Sequence, residues 1–161
     1  MSTRSQVQFG YEDNKKFERT AQVYHHYDGY PEQRLLNIKE AIGKAHESYG
    51  ESGGYSYRIK TTYPSDLAAF YIITHKDGAG NVEIDEHLHG DIEYLYQVWQ
   101  DEETSDFYVR IYTTHQPDGE DFDENKFKLF WDNPKLDHMR VEAEGKLDDL
   151  IQQYCEVEEV A

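Results

Sequence analysis

The segment Glu86-His87-Leu88-His89-Gly90-Asp91 carries two imidazoles and a carboxylate at alternate positions. In an extended chain, side chains two apart point to the same side, so His87, His89 and Asp91 would converge. Two imidazoles and a carboxylate suit zinc or a non-haem metal. His25, His26 and His115 are further candidate ligands. The plainer reading is a strand end with solvent-facing histidines and no cofactor, and the sequence favours it, because a metal site needs a full ligand set.

The spacing resembles the start of the metallo-β-lactamase-type H-x-H-x-D-H motif. Ile92 stands where that motif has its last histidine, the chain is short for that fold, and Gly90 is placed to turn the strand. Nucleophilic catalysis finds less support. Cys155 lies near the C-terminus among acids, which oppose thiolate formation. No serine nucleophile elbow is present, and Gly50-Glu51-Ser52-Gly53-Gly54 lacks the Gly-Lys-Ser/Thr of a phosphate loop.

Carboxylates are the stronger candidate. Residues 1–81 hold ten acidic and ten basic side chains; residues 82–161 hold 23 acidic and six basic, the whole net charge of −17. Between Val82 and Asn125 stand Glu83, Asp85, Glu86, Asp91, Glu93, Asp101, Glu102, Glu103, Asp106, Asp118, Glu120, Asp121, Asp123 and Glu124, against Arg110 alone. Carboxylates two apart on a strand repeat every ~6.7 Å, near the intrastrand phosphate spacing of DNA, so Glu83/Asp85 and Asp91/Glu93 fit a phosphate-like array. Such a surface attracts basic proteins and repels nucleic acid and anionic membrane. A merely solubilising or salt-adapted surface would spread acid along the whole chain. The cluster Tyr55, Tyr57, Arg58, Lys60 and Tyr63 pairs aromatics with bases, but too few bases to bind nucleic acid against −17.

The elements that must position these groups follow from periodicity. Ser5–Phe9 and Thr20–Tyr27 predict a hairpin, ended by Asp28-Gly29. Pro31 opens a helix with Leu35, Leu36, Ile38, Ala41, Ile42 and Ala45 on one face, ending before a linker at 49–54. Tyr55–Thr62 predicts a strand, and Ser65 and Asp66 cap a helix through Ile72. Val82–His87, Ile92–Trp99, Phe107–Thr113 and Lys126–Trp131 predict strands, and Gly145–Glu156 a last helix. The order predicts one α+β domain over 1–161: an antiparallel sheet of four to six strands with two or three helices packed on one face.

Met1-Ser2-Thr3-Arg4-Ser5, with Val23-Tyr24-His25-His26-Tyr27-Asp28-Gly29-Tyr30-Pro31, resembles a group of small uncharacterised phage and prophage proteins. These open with M-S-T-R-S and place V-Y-x-H-x-D-G-Y-P before their first helix. The resemblance covers the first quarter of the chain and implies a mobile-element context, where small acidic proteins often blunt host defences. It transfers no catalytic residue, and turn chemistry alone explains Asp28-Gly29 and Pro31.

At 161 residues with 14 Tyr and seven Phe, the chain can bury a core. One cysteine precludes an internal disulfide, and no apolar run reaches membrane-spanning length, so the sequence predicts a cytoplasmic protein, of the host cell if phage-encoded. The leading expectation is a non-enzymatic acidic protein that blocks a basic nucleic-acid-binding surface of a host defence protein by mimicry. The alternatives are a metal-dependent enzyme using His87, His89 and Asp91, and a structural or assembly protein with a solubilising surface.

Overall fold

Asn14 and Lys15 both take positive φ, 51° and 66°, the geometry that closes a two-residue hairpin without splaying its strands. They join β1 (Ser5–Asp13) to β2 (Lys16–His25), which are longer than their alternation suggests. The computed structural model describes residues 3–52, 61–78, 80–117 and 119–155. The strand predicted at 55–62 falls mostly outside them; residues 61 and 62 are not strand.

Tyr27 and Asp28 also take positive φ, 61° and 51°, and turn the chain out of β2. Gly29 then passes so close to β1 that a Cβ would stand 2.9 Å from the Thr3 carbonyl oxygen, and its N–H donates to that oxygen. Pro31 opens α1 (Pro31–Ser52) as predicted. The helix runs through Tyr49-Gly50, so the expected linker at 49–54 is helical up to Ser52. The helix α2 (Pro64–His75) starts on its own proline, with Tyr63 as the residue before it and Ser65 and Asp66 inside the first turn rather than capping it.

Then come β3 (Val82–Ile84), β4 (Tyr94–Gln100) and β5 (Phe107–Thr113), followed by α3 (Glu124–Asp132), a 3-10 turn at Leu136–His138, β6 (Arg140–Lys146) and α4 (Leu147–Cys155). Here the structure departs from the sequence expectation in three places. Lys126–Trp131 is helix, not strand, because Asp123 caps it by accepting from the Asn125 and Lys126 N–H groups. The strand predicted over Val82–His87 stops at Ile84, and β6 adds a strand that its polar sequence hides.

The six strands form one sheet in the order β3-β2-β1-β4-β5-β6. Only β1 and β4 run parallel; every other pair is antiparallel. The fold is α+β. Leu35 and Ile38 of α1, Leu67 and Tyr71 of α2, and Leu147 and Leu150 of α4 pack with Val7, Val23, Tyr96, Val98 and Ile111 on one face of the sheet. The fourth helix, α3, lies on the other face, where Phe130 meets Tyr24, Ile92 and Leu95.

The topology interleaves the two halves of the sequence. The neutral hairpin β1–β2 sits between β3 and β4, both from the acidic half. The acidic half therefore does not form one side of the sheet.

Candidate functional site

On the sheet face away from the three packed helices, one polar row crosses five strands in register: Gln22, Gln8, Gln97, Arg110 and Glu144. Gln8 Nε2 donates to Gln22 Oε1 at 2.7 Å, and Gln97 Nε2 to Gln8 Oε1 at 3.0 Å. Arg110 Nη1 donates to Gln97 Oε1 at 3.1 Å, and its Nε to Glu144 Oε1 at 2.6 Å. A salt bridge to Glu12 and the face of Trp99, 4.9 Å from the guanidinium carbon, complete its surroundings. Burial opposes the Arg110 charge, but the Glu12 and Glu144 carboxylates outweigh it and hold the guanidinium protonated.

The row continues into the segment that carries the histidines. Gln22 Nε2 donates to the carbonyls of Asp85 and His87, while Gln6 donates to the His87 carbonyl and accepts from the His89 N–H. These amides hold residues 85–91 in turns across the sheet, not as an extended strand. His87 and His89 consequently do not point at a common centre with Asp91. The His89 Nε2 pairs with Asp85, its Nδ1 lies 3.9 Å from Asp91 Oδ1, and its ring packs 4.1 Å from that of Tyr24. The Asp85 carboxyl is held below its ordinary range by the N–H of His87 and then by His89. Tyr24 donates to Asp91 Oδ2 at 2.8 Å, and burial first, then Asp91, pushes the phenol upward. Among the described residues, no three His, Cys, Asp or Glu side chains gather as metal ligands. Of the other candidate ligands, His25 is buried against Tyr71, His26 pairs with Glu83, and His115 with Glu93.

The fourteen carboxylates divide into two kinds. Glu83, Asp85, Asp91, Glu93 and Asp106 pair with His26, His89, Arg4, His115 and Lys146. Asp101 accepts from backbone N–H groups in its own loop, and Asp123 caps α3. Both expected two-residue repeats are thus taken up internally. Moreover, Asp91 and Glu93 precede β4 instead of lying in it. Asp118 lies outside the described residues. Of the fourteen, Glu86, Glu102, Glu103, Glu120, Asp121 and Glu124 are exposed and have no side-chain partner among the described residues. Glu102 and Glu103 sit on the β4–β5 turn; Glu120, Asp121 and Glu124 sit beyond the other end of β5. Those two groups are about 20 Å apart along the strands.

The second group adjoins a feature that the carboxylates alone did not reveal. Phe130 is the one buried residue of α3, at 2% exposure. Phe122 is 72%, Leu129 51% and Trp131 53% exposed, and Phe127 is nearly half exposed. The Phe122 and Phe127 rings lie 6.0 Å apart, and Phe127 stacks on Trp131 at 6.1 Å. An aromatic ridge thus runs from the loop before α3 along one flank of the helix, beside Phe130. Beneath its start, a groove of about 420 Å³ opens between α3 and the loop after β5, lined by Phe122, Phe127, Glu93, His115, Glu120, Asp123 and Lys126. Reading 126–131 as a strand concealed this ridge, whereas Phe127 and Trp131 four apart after the Asp123 cap carry its signal.

No protein-family model, curated protein or solved structure matches the chain. Among the described residues no helix is long and apolar enough to cross a membrane.

Proposed function

We propose that this is a non-enzymatic binding protein that docks on the basic surface of a nucleic-acid-binding protein, and that it acts as a competitor of nucleic acid. The observation that carries the reading is the coincidence of unpaired carboxylates with solvent-facing aromatics at Glu120–Trp131. Contiguous exposed apolar surface on a soluble domain marks contact with another macromolecule. The surrounding acid selects a basic partner and speeds its encounter. The phage-like opening and the turn motif before Pro31 support a mobile-element setting, and a host defence protein is the proposed target. The contact needs no strand-borne phosphate lattice: loop carboxylates and an aromatic ridge supply it.

Affinity capture from host extract tests the reading, using the native protein and a variant in which Glu86, Glu102, Glu103, Glu120, Asp121 and Glu124 become Gln or Asn. The expected result is capture of basic nucleic-acid-binding proteins by the native protein and their loss with the variant. The same proteins retained by both would assign the acid a solubilising role and overturn the proposal.

A further inference from the structure

We infer that the groove under Phe122 and Phe127 receives an arginine side chain of the basic partner. The inference deepens the proposed function and rests on it. Two aromatic rings 6.0 Å apart, tilted 50° to each other, line the groove. Glu93, Glu120 and Asp123 line the same groove beside Lys126; Glu93 pairs with His115 and Asp123 Oδ1 caps α3, which leaves Glu120 and Asp123 Oδ2 to meet a guanidinium. Aromatic faces edged by carboxylates recognise a planar guanidinium through stacking and ion pairing together. An ammonium is a compact, strongly hydrated charge that stacks less well, so the groove distinguishes arginine from lysine at equal charge. The volume of about 420 Å³ admits one long side chain and not a folded element. A second copy of this chain is the wrong occupant, since each copy brings a net charge of −17 and the two repel.

Capped oligo-arginine and oligo-lysine peptides of equal length test the site, with binding read by the fluorescence of exposed Trp131 and by calorimetry. The native protein is expected to bind the arginine peptide several-fold tighter than the lysine peptide. Replacing both rings, Phe122→Ala with Phe127→Ala, is expected to weaken arginine binding about tenfold and remove the preference, although net charge is unchanged. Phe122→Leu with Phe127→Leu keeps the apolar bulk and is expected to lose the preference too; far-UV circular dichroism checks that both variants fold. Equal affinity for the two peptides, a preference that survives the ring replacements, or no binding overturns the inference. So does a native dimer that the Phe122→Ala change dissociates. Failure here with salt-sensitive capture intact leaves the broader acidic reading standing; peptide binding without captured partners overturns that reading and leaves the groove.

Discussion

Gly90 lies directly beneath the carbonyl of Trp131, where a Cβ on Gly90 would stand 2.4 Å from the oxygen. This contact seats the end of α3 on the segment that Gln6 and Gln22 fasten to the sheet. The aromatic ridge is thereby fixed from below by a missing side chain and by Phe130. Gly90→Ala is expected to push α3 outward and cost about 1–3 kcal/mol, the usual range for overpacking. Thermal unfolding with the fluorescence of Trp131 checks it, since an unchanged melting temperature and emission would mean that α3 is not seated there.

The amide row gives a second expectation. Gln97→Leu leaves Gln8 Nε2 bonded to Gln22 but strips Gln8 Oε1 of its donor and Arg110 Nη1 of one acceptor. Arg110 Nη1 keeps Glu12 as an acceptor, whereas the orphaned, buried Gln8 oxygen costs about 1–3 kcal/mol. Denaturant unfolding should show that loss, and the native stability in Gln97→Leu would show that the row is dispensable.

Acid should weaken the fold through His25. Burial first, then the positive charge of Arg34, pushes its imidazole down to about 3. Arg34 is itself buried and donates to Ser5, Asn37 and the Tyr27 carbonyl. Between about pH 3 and the ordinary 6.5 only the unfolded chain takes up the His25 proton. Stability is therefore complete above the unfolded value and falls as pH drops through this window, by up to ~1.4 kcal/mol per pH unit from this group. Urea midpoints from pH 7 to pH 4 in the native protein and His25→Asn measure it; parallel pH slopes in the two would remove His25 as the cause.

The β1–β2 turn holds Asn14 and Lys15 at positive φ, a conformation that a lysine adopts at a cost. Lys15→Gly is expected to stabilise the protein by several tenths of a kcal/mol to about 1 kcal/mol, which thermal unfolding would register as a raised midpoint. A lowered midpoint would contradict this account of the turn.

What was legible in the sequence was local. Pro31 fixed the start of α1, and the alternation of Tyr94, Tyr96 and Val98 placed them on the helix-packed face. Ile92, which the same alternation would place with them, instead belongs to the Phe130 cluster, because the chain turns before β4. Lys126-Phe127-Lys128-Leu129 alternates as a strand does, and the Asp123 cap with Phe127 and Trp131 four apart betrays the helix. The strand β6 reads as polar because it is an edge strand, and edge strands carry charge to discourage pairing with other chains. The carboxylate pairs were visible, but the partners of Glu83, Asp91 and Glu93 lie far away in sequence and are brought to them by the fold; only His89, the partner of Asp85, is near. The amide row was illegible for the same reason: Gln8, Gln22 and Gln97 look like outward polar positions until the register aligns them.

In the proposed function, free acid and exposed aromatics together occupy a partner surface otherwise held by nucleic acid. The most direct test of this is the affinity for a captured host protein across a salt series, with duplex DNA added as competitor. Affinity is predicted to fall steeply as salt rises, and DNA is predicted to displace this protein from its partner. Binding indifferent to both salt and DNA would contradict the account.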